Sequence, residues 1–179
     1  LAHGARSSRT HKRVLEVGPG TGPVTKELLR CMHPGDELDL VELNPDFSRE
    51  LEKKVLAPYR AKHPTARVRL HLGGIEDVPL ERGSYDFVVC GLPFNNFDNK
   101  LVERIMRHLL DLLKPRGELA YFCYAGAKTV KATMLDRKGR ANLRAIARFE
   151  ADLRMRHESV RQIVLPNIPP AEVRRLTKR

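Results

Sequence analysis

Three glycines at alternate positions, directly after a short β-branched run, are the feature that most constrains this chain. The run over 13–18 is typical of a buried parallel strand, and 21–32 carries apolar residues at helical spacing. Glycine adopts positive φ and lets the backbone approach a ligand closely. A strand, a tight glycine turn and a helix in this order predict an open α/β sheet with a ligand at the turn. The turn reads Glu16-Val17-Gly18-Pro19-Gly20-Thr21-Gly22.

Strand and helix patterns alternate along the remaining chain, which predicts a parallel sheet with helices on both faces. Further strands are predicted over 37–43, 67–74, 85–92 and 117–126, and helices over 45–63, 100–113 and, interrupted near 138–139, 128–153. Two closing strands, 157–165 and 171–178, are joined without a helix, so they must be antiparallel. We therefore predict a single α/β domain over 1–179. Its sheet is doubly wound, Rossmann-like and mostly parallel, and it ends in an antiparallel β-hairpin.

The formal net charge of the 179 residues is +11, and most of it lies near the C-terminus. From Gly126 onward there are 14 Lys and Arg residues against 5 Asp and Glu residues. Such a basic surface indicates an anionic partner, namely a nucleic acid, an anionic membrane surface or a phosphate-bearing substrate. No apolar run approaches the roughly 18 residues that a membrane span needs. Cysteines and histidines do not cluster at metal-ligand spacing, so no metal is predicted.

The residues of the turn narrow the class of ligand. No Gly-Lys-Ser/Thr follows the glycines, which excludes a P-loop, and their spacing differs from the dinucleotide fingerprint. The carboxylate of Glu16 would repel a pyrophosphate but attract an ammonium or sulfonium group. The pattern E-x-G-x-G-x-G resembles the first motif of class I S-adenosylmethionine-dependent methyltransferases. The resemblance implies S-adenosylmethionine as the cofactor and S-adenosylhomocysteine as its product.

The same resemblance implies where the rest of the cofactor lies. Glu42 ends the second strand and would accept hydrogen bonds from both ribose hydroxyls. The adenine segment falls at 73–79, where Gly74 replaces the usual acidic residue, so the backbone near Ile75 and the side chain of Glu76 would hold adenine. The implied cofactor-binding residues are Glu16, Gly18, Pro19, Gly20, Thr21, Gly22, Glu42, Leu43, Ile75, Glu76, Gly91 and Leu92.

The loop after the fourth strand, Gly91-Leu92-Pro93-Phe94-Asn95-Asn96-Phe97, lies where open sheets bind their substrates. It resembles the Asn-Leu/Ile-Pro-Tyr/Phe-Asn loop of adenine-N6 methyltransferases, whose first Asn accepts a hydrogen bond from the target amine. Gly91 replaces that Asn and has no side-chain acceptor. The loop, the strand YFCYAG (121–126) and the closing NIPPAEVRRL (167–176) resemble instead the bacterial phospholipid N-methyltransferases.

That resemblance implies methyl transfer to the headgroup amine of phosphatidylethanolamine and its methylated forms, toward phosphatidylcholine. It implies a cytoplasmic protein bound peripherally to the anionic or zwitterionic phospholipid surface at the inner face of the cell membrane, with nucleic acid a disfavoured partner. The domain is expected to lack the N-terminal membrane-binding helix that the family usually carries. Two alternatives stay open: an adenine-N6 methyltransferase acting on ribosomal RNA or DNA, and a binding module on a decayed methyltransferase fold.

Three residues are candidates for catalysis if the substrate is a lipid amine. The amine must lose its proton before it attacks, so a group that orients it is needed. Tyr124, at the carboxyl end of the fifth strand, is a candidate for that role, although a half-buried core tyrosine is the alternative. Phe94 could place its ring against cationic methylated intermediates, or simply pack, and Asn95 lies beside it. His157 and Glu158 form a conceivable base, but in a strand expected at the sheet edge.

Basic residues of the stretch after the fifth strand are candidates for binding the lipid phosphate, namely Lys128, Arg144 and Arg148. With Arg140, the two arginines form one row at i, i+4 spacing. An apolar stripe is predicted beside the row, formed by Leu143, Ile146, Ala147 and Leu153. A basic amphipathic helix can lie on an anionic bilayer, and the alternative is a helix packed on the sheet with a solvated basic face.

Overall fold

Seven strands form one mixed sheet in the part of the chain that the computed structural model describes, residues 10–124, 137–164 and 171–179. The strands are β1 (Arg13–Val17), β2 (Glu37–Glu42), β3 (Arg67–Leu72), β4 (Tyr85–Cys90), β5 (Leu113–Tyr124), β6 (Glu158–Val164) and β7 (Ala171–Thr177). They lie side by side in the order β3-β2-β1-β4-β5-β7-β6. The chain order reverses between β1 and β4, and open α/β sheets bind ligands at such a crevice.

Helices follow β1, β2 and β4 and precede β6, whereas residues 73–84 join β3 to β4 without a helix. The helices are α1 (Pro23–Cys31), α2 (Pro45–Leu51), α3 (Ala57–Lys62), α4 (Asn99–Leu112) and α5 (Arg137–Arg156). A π-helical turn at Glu52–Leu56 joins α2 to α3, and a short 3-10 helix at Phe94–Asn96 follows β4. No described helix combines the length and the apolar character that crossing a bilayer requires.

The predicted fold class is confirmed. Strands β1 to β5 are parallel, and β7 runs antiparallel to both β5 and β6. The closing hairpin therefore exists, but β7 is inserted between β5 and β6, so β6 forms the sheet edge and runs parallel to β5. The pairing of β4 with β5 passes from Leu113 to Glu118, and Arg116 between them has a φ of 67°. Residues 114–116, just before the predicted start of the fifth strand at residue 117, form this irregularity.

Each face of the sheet buries its own apolar cluster. On one face, Leu38 and Leu40 of β2 pack with Leu51 and Leu56 beneath the α1 and α2–α3 helices. On the other face, the larger cluster joins the central strands to α4 and α5. The alternation of inward side chains along β1 separates these faces and turns Glu16 toward α1.

Helix α5 differs from its prediction in two ways. It runs without a break through Gly139, so the interruption expected there is wrong, and the part predicted over 128–136 lies outside the described residues. Ile146 and Leu153 are buried in the larger cluster, but Ala147 is exposed, and Phe149 packs inward instead. The helix therefore lies on the fold with its arginine row in solvent.

A buried carboxylate links the middle strands. Asp39 of β2 is 1% exposed and accepts a hydrogen bond of 2.8 Å from the Tyr85 hydroxyl. Its other oxygen lies 3.1 Å from His71 Nε2, and Arg13 Nε lies 3.6 Å from Oδ2. Burial and the bond to Asp39 raise the pKa of Tyr85, so its hydroxyl stays protonated and remains a donor.

Replacing Tyr85 by Phe should therefore lower the free energy of unfolding by about 1.5–3 kcal/mol, because a buried carboxylate loses a donor. Urea denaturation followed by circular dichroism measures the loss. Tyr59→Phe is the matched control, since half-buried Tyr59 packs its ring against His63, and it should cost less than about 0.5 kcal/mol. Equal losses in both variants would show that the Tyr85–Asp39 bond contributes nothing specific.

Candidate functional site

The glycine turn leaves β1 in a left-handed conformation at three positions. The φ angles of Gly18, Gly20 and Gly22 are 71°, 56° and 85°. A Cβ atom on Gly22 would come 2.5 Å from Leu51, so this glycine allows α1 to pack. A Cβ atom on Gly20 would meet no atom within 4 Å, so its outer side is open. Gly20 is therefore where the turn can face a ligand, with Pro19 buried behind it and Thr21 exposed beyond it.

Glu42 closes the turn from the end of β2. Its carboxylate is 6% exposed and accepts the backbone N–H groups of Gly20 at 3.0 Å and Asn44 at 2.8 Å, one on each oxygen. Each carboxylate oxygen has a second lone pair, so both can still accept a ligand hydroxyl. This geometry suits the predicted ribose contact, which stays a prediction.

A second carboxylate lies beneath the turn. Glu16 is 2% exposed and accepts a hydrogen bond of 2.7 Å from the Thr25 hydroxyl of α1. Burial raises the pKa of Glu16 to about 7. The hydrogen bond from Thr25 lowers this pKa, and the negative charge of Glu42 raises it. A cation bound at the turn would favour the ionised form and lower that pKa.

The carboxyl end of β4 meets the turn at Gly91. Its N–H donates to the Val17 carbonyl at 2.8 Å, while Gly18 N donates to Val41 O at 2.9 Å. A Cβ atom on Gly91 would come 2.7 Å from the Gly18 carbonyl oxygen. Half-buried Leu92 covers Gly18 from above. The missing side chain at position 91 therefore has a packing cause that the sequence did not reveal.

The predicted adenine segment follows β3 beside the same edge. Gly73 N donates to the Glu42 carbonyl at 2.9 Å, which fixes the segment next to β2. Ile75 is buried, while Glu76 is exposed and pairs with Arg104 of α4 at 3.3 Å. Leu43 is 72% exposed at this edge, and an exposed leucine beside the turn offers an apolar surface to a ligand ring.

The loop after β4 carries an aromatic row. Phe94 is 5% exposed, and its ring centroid lies 6.2 Å from that of Phe97 and 6.4 Å from that of Tyr121. This burial favours packing as the role of Phe94, and its contact with a substrate amine stays a prediction. Half-buried Phe97 is the more accessible ring of the row. Asn95 is the middle residue of the 3-10 helix, so its backbone follows Phe94 directly.

The remaining predicted residues lie at opposite ends of the strands, some at the carboxyl ends and some at the amino ends. Tyr124 ends β5 at the carboxyl edge, which is the edge of the glycine turn. His157 and Glu158 lie at the amino end of β6, which is parallel to β5, so they occupy the opposite edge. Burial and the cations Arg179 and Lys178 also lower the pKa of His157. The conceivable base at His157 is therefore remote from the turn.

The predicted phosphate ligands lie on or before α5. Arg144 and Arg148 are exposed on its solvent side, and Lys128 lies outside the described residues. The sequence did not predict the side-chain hydrogen bonds of Thr25 and Asn142 near the site. Thr25 could have been found, because its place in α1 points it at β1. The partners of Asn142 lie more than 40 residues away and left no signal.

The turn fits a cofactor with a cationic centre and a ribose. Two acidic side chains, an open glycine and an exposed leucine meet at the crevice between β1, β2 and β4. Among the described residues no group of His, Cys, Asp or Glu could hold a metal ion.

A separate cleft of about 760 Å³ lies at the amino ends of β2 and β3. Its basic residues include Arg30 and Lys62 in the last turns of α1 and α3, where cations complement the helix dipole. It is not part of the site at the turn.

Comparison with known sequences agrees with this geometry. Residues 14–117 match the methyltransferase domain family. An ornithine lipid N-methyltransferase from Singulisphaera acidiphila is 33% identical over 106 residues, which cover 58% of this chain and 53% of that protein. The ubiquinone/menaquinone biosynthesis C-methyltransferase UbiE from Pseudomonas paraeruginosa is 27% identical over 111 residues, covering 62% and 41%. The tRNA (adenine(58)-N(1))-methyltransferase TrmI from Thermus thermophilus is 34% identical over 80 residues, covering 45% and 30%. The chain thus matches about half the length of these relatives or less.

Solved structures share the fold at low sequence identity. The PH0226 protein from Pyrococcus horikoshii has a TM-score of 0.68 and 13% identity, with 97% of this chain and 84% of that chain covered. The O-methyltransferase TomG from Streptomyces achromogenes, in complex with S-adenosylmethionine, has a TM-score of 0.64 and 17% identity, covering 94% and 74%. The TomG structure, which shares this fold, holds S-adenosylmethionine, and this supports the cofactor predicted for this chain.

Replacing Glu16 by Gln should make stability less sensitive to pH. The raised pKa means that the wild type loses stability as pH rises from the unfolded value near 4.5 through about 7, whereas Gln stays neutral. Between pH 5 and pH 8 the unfolding free energy of the variant should gain roughly 2–3 kcal/mol relative to the wild type. Urea denaturation at both pH values measures this, and parallel pH profiles of the two proteins would contradict it.

Replacing Glu42 by Gln should weaken binding of S-adenosylhomocysteine by about 1.5–3 kcal/mol, since the side chain loses its negative charge and turns an NH2 donor toward one of the two N–H groups, that of Gly20 or that of Asn44. Isothermal titration calorimetry gives the dissociation constant. Glu27→Gln, on the exposed side of α1, is the control and should bind as the wild type does. Unchanged affinity in the Glu42 variant would remove Glu42 from the cofactor site.

Proposed function

Since this chain belongs to the methyltransferase domain family, whose class I fold uses S-adenosylmethionine, we propose that it methylates the headgroup amine of phosphatidylethanolamine and its methylated forms. The product is then on the route to phosphatidylcholine. The similarity to an ornithine lipid N-methyltransferase is the observation that carries the proposal, because that relative by its name acts on a lipid amine.

The loop after β4 supports a small amine rather than a base as the acceptor. With Gly91 against the Gly18 carbonyl, position 91 offers no side-chain acceptor to a nucleobase. The half-buried ring of Phe97 leaves an aromatic surface at the loop, and such a surface attracts cationic amines.

The bound cofactor would supply an activated methyl group for an in-line displacement. The residues of this chain position the reactants and exclude water. Glu16 and Glu42 attract the cationic centre, and the open face of Gly20 admits it. The loop 91–97 holds the acceptor from the neighbouring strand, with Tyr124 and Asn95 as candidates for orienting its amine.

The arginine row of α5 supports a membrane partner. Arg144 and Arg148 are exposed on the solvent side, while the apolar side of the helix packs on α4. The row can therefore reach anionic lipid headgroups without disturbing the core. A peripheral position at the cytoplasmic face of the membrane follows from this proposal.

Adenine methylation is the second candidate. The similarity to a tRNA (adenine(58)-N(1))-methyltransferase and the net charge of +11 favour it. The packing of Gly91 counts against an adenine-N6 acceptor, because a side chain at that position would displace the turn.

The deciding assay offers methyl-labelled cofactor to phosphatidylethanolamine vesicles, ornithine lipid vesicles, transfer RNA and ribosomal RNA in parallel. We expect label in mono-, di- and trimethylated phosphatidylethanolamine, and a loss of that label in the Glu42→Gln variant. Label in RNA alone would choose the second candidate, and label in ornithine lipid alone would change the substrate. No labelled phosphatidylethanolamine, despite measured cofactor binding, contradicts the proposal.

A further inference from the structure

One side chain of α5 connects that helix to the loop after β4. The Oδ1 atom of Asn142 accepts the backbone N–H of Asn99 at 2.7 Å. Its Nδ2 atom donates to the backbone carbonyl of Phe97 at 2.9 Å. Both partners lie more than 40 residues away in sequence, so the amide joins two distant parts of the chain.

The orientation of the Asn142 amide is fixed by its partners. A carbonyl oxygen needs a donor and an N–H needs an acceptor, so the reversed amide would make neither bond. Asn99 is the first residue of α4, and its N–H is one that no intrahelical carbonyl can satisfy. Asp98, the N-cap, accepts the next amide from Lys100 at 2.9 Å. Asn142 thus completes the cap of α4 from outside the helix.

The second bond reaches beyond capping. Phe97 ends the loop 91–97, and its ring lies edge-on to Phe94, which packs against Tyr121 of β5. The Asn142 bond therefore holds the backbone at one end of the loop, while the Gly91–Val17 bond holds it at the other end. The loop 91–97 is thus held at both of its ends, beside the crevice.

We propose that Asn142 is a positioning residue, which fixes the acceptor loop to α5 through the Phe97 carbonyl. This inference rests on the proposed function in one respect, namely that the loop 91–97 holds the methyl acceptor. Asn142 lies in the second turn of α5, on the opposite side from the exposed Arg140 and Arg144. The basic surface and the acceptor loop are thereby fixed relative to each other.

Two substitutions separate capping from positioning. Asn142→Asp keeps an acceptor for the Asn99 N–H, and its negative charge suits the start of α4. It removes the donor to Phe97 and places a carboxylate against that carbonyl. Asn142→Ala removes both bonds. Ala141→Asp is the control, because it adds the same charge at the exposed neighbouring position of α5.

The readouts are amide hydrogen exchange at Asn99, the dissociation constant for S-adenosylhomocysteine, and kcat and KM on the acceptor that the wild type methylates. In Asn142→Asp we expect Asn99 to stay protected while kcat falls about 10- to 100-fold, as misplaced reactants cause. Asn142→Ala should lose both the protection and kcat. Cofactor affinity should stay within about twofold in both, since Asn142 shares no partner with the turn.

A kcat of Asn142→Asp equal to that of Ala141→Asp would overturn the proposal and leave Asn142 as a cap alone. A kcat of Asn142→Ala equal to that of the wild type would also overturn it, because the loop would then stay in place without the bond to the Phe97 carbonyl. If the wild type methylates an acceptor other than a lipid amine, the proposed substrate is wrong, and the same comparison on that acceptor still decides the role of Asn142.

Discussion

The meeting of β1, β2 and β4 at their carboxyl ends is the constraint on which the candidate site depends. Gly18 donates to the end of β2, Gly91 donates to the end of β1, and the Glu42 carboxylate accepts Gly20. These bonds hold the glycine turn against its neighbours on both sides. Because Gly20 has no side chain, the turn leaves an open surface at that residue where a ligand can lie.

The electrostatics of the site follow from the same packing. Bringing β2 beside the turn places Glu42 near Glu16, and burial leaves Glu16 with a pKa of about 7. Two neighbouring carboxylates in a low-dielectric crevice are costly without a cation. A ligand with a positive centre at the turn would offset this cost. The bond from Thr25 shows how α1 moderates that cost from below.

Helix α5 performs separate tasks on its two sides. Its inner side buries Ile146 and Leu153 and directs Asn142 at the loop after β4. Its outer side keeps the arginines in solvent, where they give the C-terminal part of the chain its basic surface. The packing of the inner side fixes the position of the arginines relative to the loop 91–97 and the crevice.

The sequence by itself determined the architecture and the glycine turn. Strand and helix periods depend on which residues face the core, and the turn depends on positive φ at Gly18, Gly20 and Gly22, so both can be read locally. The position of Glu42 was predictable as well, because parallel strands end at a common edge. The basic face of α5 was also visible from i, i+4 spacing, although the exposure of Ala147 was not.

Only the tertiary structure decided the rest, because those contacts join residues that are far apart in sequence. Because β7 is inserted between β5 and β6, β6 runs parallel to β5. His157, at the amino end of β6, therefore lies at the opposite end of the strands from the glycine turn. The close approach of the Gly18 carbonyl explains why position 91 is a glycine. From the sequence alone, Gly91 indicated only that a side-chain acceptor is missing. The burial of Phe94 and the bonds of Asn142 depend on how α4 and α5 pack, and a linear pattern carries no record of a partner more than 40 residues away.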